Sequence, residues 1–221
     1  MHWASWEDIS ITSPKFEMPD GSGQPTRELV SLLPFSFHCY RNPINYFVQG
    51  GNTLFGGPDW SGDKAKHDRT MGLWGMFLGG FGQLITGTYL MIGLSWFPVY
   101  RNAPPLYMAA LAFSVYGIHW IVIGLRRYTG SDHGPEAWMA IPLLGLSALG
   151  AISFGQAGDI PASILFIGLV LIYLAEIPSR FLNSKFWEKG TGLFQLLTGI
   201  WLLYLTYGVT LNFANGMHWW V

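Results

Sequence analysis

Residues 71–97 of the chain read MGLWGMFLGGFGQLITGTYLMIGLSWF, a run without Asp, Glu, Lys, Arg or His. About 20 consecutive apolar residues are enough for an α-helix to cross the hydrocarbon core of a bilayer. A helix that is apolar on all sides is typical of a membrane span or of a fully buried helix. The run therefore predicts a transmembrane helix, the first span of the chain.

Four further apolar runs follow the first at a spacing that suits consecutive spans. They cover, roughly, residues 105–126, 136–155, 160–178 and 190–212. Only 11% of the 221 residues are charged, against about 25% in a soluble domain. Strands of a membrane β-barrel would be about half as long and would alternate in hydropathy. The sequence therefore predicts an all-α fold, a polytopic membrane helix bundle of about five transmembrane helices, with residues 71–221 as the transmembrane domain.

Basic residues are concentrated in the loops at one end of the predicted spans. This end holds Lys64, Lys66, Arg69, Arg126, Arg127, Arg180, Lys185 and Lys189, whereas only Arg101 lies at the other end. Short cytoplasmic loops of membrane proteins carry an excess of Lys and Arg. We therefore expect an integral protein of the cell (inner) membrane with a cytoplasmic N-terminus.

Residues 1–70 differ in composition from the spans. They hold eight of the thirteen acidic residues, yet they are too aromatic for a disordered linker. The prediction is an extended N-terminal extramembrane or interfacial segment, in which residues 29–57 lie on the membrane surface or dock on a partner. A re-entrant or sixth span over residues 29–57 is the alternative. The net charge of −1 predicts no nucleic-acid partner.

Glycines recur in the first span at intervals of three and four residues. They are Gly72, Gly75, Gly79 and Gly82. Residues three and four apart share one face of a helix, and small residues let two helix backbones approach closely in a membrane. The pattern predicts a helix-packing face, in contact with the fifth span or its neighbour.

A short repeat links the first span to the fifth. Residues 83–91 read QLITGTYLM and residues 195–203 read QLLTGIWLL, with five of nine positions identical. The repeat predicts a duplicated, hairpin-like unit whose two copies run in the same direction. Gln83 and Gln195 begin the two copies. A polar side chain inside a span either bonds a neighbouring helix or lines a polar pathway, and both readings stay open here.

Tyr116 and His119 share one face of the second span. His119 can act as a proton-linked gate, as a structural hydrogen-bond donor, or as an axial ligand to a haem or chlorophyll. No phosphate-binding loop, paired metal-ligand motif or nucleophile-base set is present, and Cys39 is the single cysteine. We therefore expect no enzyme activity, no catalytic residues, no metal site, and no cofactor unless His119 holds one.

Two motifs resemble the acetate uptake transporter (succinate-acetate permease) family. The first is Gly-Gly-x-x-Gln-x-x-x-Gly, matched by Gly79, Gly80, Gln83 and Gly87. The second is Ala-Phe-x-x-Tyr-Gly-x-x-Trp, matched by Ala112, Phe113, Tyr116, Gly117 and Trp120. The resemblance implies a channel-like bundle that forms hexamers with one pore per subunit, and it matches Tyr116 to an aromatic residue of the pore constriction. The family's first helix is missing or replaced here, since only the fragment Asn42-Pro43 of its entrance motif is present.

These observations support two functional hypotheses. The first is a channel or transporter for a small monocarboxylate or similar small solute, with pore-lining residues Gln83, Tyr116, His119 and Gln195. The second is a non-transport scaffold subunit of a larger membrane complex. The expected partners are the lipid bilayer and either further copies of the chain or other membrane subunits that dock the N-terminal segment.

Overall fold

Six helices make up the part of the chain that the computed structural model describes, residues 41–57, 59–96 and 105–221. We number them in chain order: α1 Arg41–Phe55, α2 Lys64–Trp96, α3 Pro105–Thr129, α4 Gly134–Gln156, α5 Ile160–Phe181 and α6 Lys185–Asn215. Predictions that fall on residues 1–40 and 97–104 lie outside the described residues.

The five helices α2 to α6 are each long and apolar enough to cross a membrane. Their outward faces carry exposed apolar side chains along the whole length, among them Ile118, Ile152 and Leu174. No strand occurs in the described residues. The prediction of an all-α bundle with five transmembrane helices is therefore confirmed, and the chain is an integral membrane protein.

Successive helices from α2 to α6 run antiparallel, so that α2 and α6 point in the same direction. A Cβ at Gly80 would lie 2.9 Å from the Ile121 nitrogen, which fixes the α2–α3 contact. The α3–α4 pair is joined near one end by Arg126 and Glu136, whose nearest atoms are 2.7 Å apart. We call this end, where α2, α4 and α6 begin, the basic end, and the opposite end the far end.

Helix α1 packs along α6 and α2 rather than standing apart from the bundle. A Cβ at Gly199 of α6 would lie 2.7 Å from the Phe47 nitrogen, and one at Gly50 of α1 would lie 2.9 Å from Leu196 Cα. The fifteen described residues of α1, Arg41–Phe55, lie along both neighbouring helices. Residues 41–55 therefore pack against the helices that follow residue 70, and the domain boundary at residue 70 stays a prediction.

The glycine-rich part of α2 is a π-helical stretch, Gly75–Phe81. The glycines of α2 pack against two neighbouring helices rather than against one. A Cβ at Gly72 would lie 2.6 Å from the Gly124 carbonyl oxygen of α3, whereas Gly79 adjoins the Asn45 side chain of α1. These contacts place α2 between α1 and α3, at the depth where the amide side chains of α1 enter the bundle.

Candidate functional site

Two cavities enter the bundle from its opposite ends. The basic-end cavity has a volume of about 200 Å³ and the far-end cavity about 290 Å³. Helices α1, α3, α5 and α6 each contribute residues to both cavities. Ligand pockets for drug-sized molecules are commonly about 300–1,000 Å³. Both cavities are thus suited to small molecules only.

The lining residues follow one stripe along each helix from the far end to the basic end. On α1, Asn42 and Tyr46 line the far-end cavity, and Gln49 lines the basic-end cavity three residues later. On α3 the change occurs between Tyr116 and Trp120. Residues at such spacings share a helix face. The two cavities therefore lie on one axis through the bundle, separated by a short barrier.

Aromatic rings form this barrier. Tyr46 lines the far-end cavity and Trp120 the basic-end cavity, and their rings meet edge to face with centroids 5.4 Å apart. Beside them Tyr116 stacks on Tyr173 of α5, with centroids 6.1 Å apart. All four side chains are at most 4% exposed. The two cavities are separated by about the thickness of one aromatic pair.

His119 lies within the barrier but lines neither cavity. Its ring contacts those of Tyr173 and Trp120, with centroids 5.7 and 6.3 Å away, and its exposed fraction is 3%. A haem or chlorophyll would need open space on one side of the imidazole. The packed rings do not fit such a macrocycle. Within the described residues, no group of three or more His, Cys, Asp or Glu side chains could hold a metal ion.

The residues predicted to line a pore are distributed over both cavities. Gln83 and Tyr116 line the far-end cavity, Gln195 lines the basic-end cavity, and His119 lies between them. The Tyr116 hydroxyl shares a 2.7 Å hydrogen bond with the hydroxyl of Ser147 on α4. The structure therefore brings Gln83 together with Tyr116 and places Gln195 beyond the barrier from them.

Several buried amide atoms near the barrier have no hydrogen-bond partner among the described residues. They are Asn42 Oδ1, both polar atoms of the Asn45 side chain and Gln83 Oε1. The exposed fractions of these three residues are 7%, 1% and 3%. Leaving a buried polar group unpaired costs about 1–3 kcal/mol. Asn42 and Gln83 line the far-end cavity, so their oxygens are available to a solute or to water that enters it.

A network of charged side chains encloses the basic-end cavity. Arg126 Nε donates a 2.7 Å hydrogen bond to Glu136 Oε1. An Arg180 guanidinium nitrogen lies 3.5 Å from both Glu136 Oε2 and Glu176 Oε1. Glu136 is 2% exposed, so its charge depends on these cations. The network joins α3, α4 and α5 at the basic end.

Arg127 extends the same network to α1 and α2. It donates a 2.7 Å hydrogen bond to Gln49 Oε1, and its Nε lies 3.6 Å from Asp68 Oδ1. The Gln49 amide nitrogen in turn donates to the Met71 carbonyl oxygen at 2.9 Å. The short helix α1 is thus anchored at the basic end by polar contacts in addition to its packing on α6.

The segment after α6 folds back over the far-end cavity. The Asn212 side chain accepts from the Trp219 backbone nitrogen at 2.7 Å and donates to its carbonyl oxygen at 2.9 Å. The Tyr204 hydroxyl donates to the Trp220 carbonyl oxygen at 2.9 Å. Val221 is thereby held among the residues that line the cavity. This tail narrows the far-end opening.

The contribution of α1 to the site was not predicted from the sequence. Asn42, Asn45 and Gln49 are spaced by three and four residues, so they share a helix face that is buried, whereas Ile44 and Phe47 are exposed. A hydropathy window averages the two faces and misses such a helix. The regular spacing of the three amides is the signal that could have found it.

Comparisons of the chain with protein-family models, with curated proteins and with solved structures find no match. The residues of the two quoted motifs meet each other at the α2–α3 contact, where a Cβ at Gly117 would lie 3.0 Å from the Gly80 carbonyl oxygen.

Proposed function

We propose that this chain is a channel- or transporter-like membrane protein that conducts a small monocarboxylate or a similar small solute. The observation that carries the proposal is the pair of coaxial cavities, which open at opposite ends and are separated by Tyr46 and Trp120. A helical bundle that only supports other subunits has no need for polar atoms along its axis. Here such atoms are retained at the barrier despite their energetic cost.

The basic end is the cytoplasmic end in this proposal. Lys64, Arg126, Arg127, Arg180 and Lys185 lie at this end of the described helices. Short loops rich in Lys and Arg stay on the cytoplasmic side during insertion. The far-end cavity then faces the outside of the cell membrane and is the entry for solute taken up from there.

Flux through proteoliposomes tests the proposed function. Tyr116→Ala removes a ring from the barrier, so we expect faster flux of acetate-sized solutes than in the wild type. The matched control is Tyr107→Ala on the same helix, because Tyr107 is 52% exposed and lines neither cavity. Both variants are compared at equal reconstituted amounts, after their thermal stability in detergent has been measured.

Comparison of Tyr116→Ala with the control variant and with the wild type shows whether an axial pathway exists. Faster flux in Tyr116→Ala with unchanged flux in Tyr107→Ala supports an axial pathway. Absence of flux for every small solute tested, in the wild type and in Tyr116→Ala alike, would discard the pathway and leave the scaffold subunit as the remaining function.

A further inference from the structure

Between Asp159 at the far-end opening and the barrier, the described residues that line the axis of the bundle carry hydrogen-bonding groups without fixed charge. We infer that the solute which crosses is a small uncharged molecule that donates hydrogen bonds, of the carboxamide class, in preference to a carboxylate anion. The inference rests on the proposed function because it assumes the same pathway, and among the solutes proposed there it favours an uncharged small solute over the monocarboxylate.

Two unpartnered acceptors define the binding position. Asn42 Oδ1 and Gln83 Oε1 belong to residues that line the far-end cavity, and both residues are more than nine-tenths buried. An amide NH₂ group offers two hydrogens to two acceptors. A carboxylate offers none, because the ionised group only accepts hydrogen bonds. A carboxylate would leave the oxygens of Asn42 and Gln83 unpaired, whereas an amide can donate to them and can also accept, through its carbonyl oxygen, from a buried donor such as Trp120 Nε1, which has no partner among the described residues.

The charge distribution of the far-end cavity gives an independent argument. Among the described residues that line this cavity, Asp159 is the one charged side chain. It lies at the far end, where its carboxylate also accepts from the Ala162 backbone nitrogen at 3.0 Å. A negative charge at the opening lowers the local concentration of anions. Within the described residues, no basic side chain lines this cavity to offset that effect.

The three arginines that line the basic-end cavity do not supply a free positive charge either. Each of the three lies within 4 Å of a carboxylate: Arg126 and Arg180 with Glu136, and Arg127 with Asp68. An anion would have to compete with these carboxylates for the guanidinium groups. An uncharged solute would pass the network without disturbing it.

The barrier itself disfavours ions of either sign. Tyr46, Tyr116, Trp120 and Tyr173 surround it and are almost fully buried. An isolated ion loses far more hydration free energy in such surroundings than an amide does. The exposed carboxylate of Asp159 lies at the far-end opening, so it cannot stabilise a cation at the barrier. The uncharged solute is thus favoured at the opening, at the binding position and at the barrier.

Acetamide and acetate test the inference directly, because the two molecules have nearly the same shape and differ in charge. Wild-type protein is reconstituted into liposomes at pH 7.5, and the flux of acetamide, acetate and methylammonium is measured against protein-free liposomes. We expect protein-dependent acetamide flux at least tenfold above that of either ion. Gln83→Leu should lower acetamide flux several-fold, while Gln156→Leu, an exposed position at the end of α4, should leave it unchanged.

The outcomes separate the inference from the proposed function. Acetate or methylammonium flux equal to or greater than acetamide flux would overturn the inference and leave the pathway intact. No protein-dependent flux of any of the three solutes would overturn both. The comparison among solutes uses the wild-type protein, so it does not depend on the folding of a variant.

Discussion

Single side chains decide how closely the helices around the axis can approach. Gly79 lies against the Asn45 side chain, and a Cβ there would also lie 3.0 Å from Trp120 Cγ. By contrast, nothing lies within 4 Å of a Cβ placed at Gly145 of α4. Both glycines belong to membrane-spanning helices, yet only Gly79 has neighbours that leave no room for a side chain.

Gly79→Leu should therefore destabilise the protein, whereas Gly145→Leu should not. Forcing extra atoms into a packed site costs about 1–3 kcal/mol. At Gly145 a side chain has room, and replacing a helical glycine removes a penalty of about 1 kcal/mol relative to Ala. The stability of both variants is measured by thermal unfolding in detergent, with size-exclusion chromatography as the readout. Equal stability of the two variants would show that the α1–α2–α3 contact is looser than described.

At the scale of whole helices, the charged network at the basic end joins the helix ends to one another. Glu136 is the central carboxylate, since it is paired with both Arg126 and Arg180. Removing one partner of a buried ion pair leaves an uncompensated charge, which costs about 3–5 kcal/mol when the pair is fully buried. The arginine side chains are about one-fifth exposed, so the loss of stability is smaller here than for a fully buried pair.

Glu136→Gln should lower the stability of the protein by about 1–3 kcal/mol, because Arg126 would lose its carboxylate partner and Arg180 would keep only Glu176. Asp132→Asn is the matched control, since the Asp132 side chain is 83% exposed. Denaturation in mild detergent at two salt concentrations measures both variants. If Asp132→Asn loses as much stability as Glu136→Gln, the buried network does not hold the helix ends.

The tail after α6 is a second element with a testable role, because Asn212 holds it through two hydrogen bonds. Asn212→Leu should release the tail and open the far-end cavity. With Cys39 replaced by Ser, a cysteine introduced by Val209→Cys should then react faster with an impermeant maleimide. Thr210→Val is the control, because the Thr210 hydroxyl bonds only to its own helix at Thr206. An unchanged labelling rate in Asn212→Leu would mean that the tail does not cover the opening.

For the molecule as a whole, hydropathy predicted the spans well because lipid imposes a simple rule. Every long helix that faces lipid must be apolar over about 20 residues, and this signal is local in the sequence. The described part of helix α1 does not show this signal, since Asn42, Asn45 and Gln49 interrupt its apolar residues and face the interior. The site could be predicted only in part for the same reason. Gln83 and Tyr116 lie in recognisable motifs, whereas their partners on α1 and α5 come from distant parts of the chain.

The orientation of the molecule is a further prediction. Ser131→Cys and Ser184→Cys, in a Cys39→Ser background, place single thiols in the loops at the basic end. Because basic loops remain in the cytoplasm, we expect impermeant reagents to reach both positions in inside-out vesicles and neither in intact cells. Labelling in intact cells would reverse the proposed direction of uptake, although it would leave the pathway itself unaffected.

The proposed transmembrane pathway is tested most directly by measuring from which face of the membrane each of the two cavities can be reached. Thr53→Cys places a thiol in the basic-end cavity and Val209→Cys places one in the far-end cavity, each in a Cys39→Ser background. We expect an impermeant maleimide to label Thr53→Cys only in inside-out vesicles and Val209→Cys only in right-side-out vesicles. Labelling of both thiols from the same face would contradict it, because the two cavities would then not lie at opposite ends of one transmembrane axis.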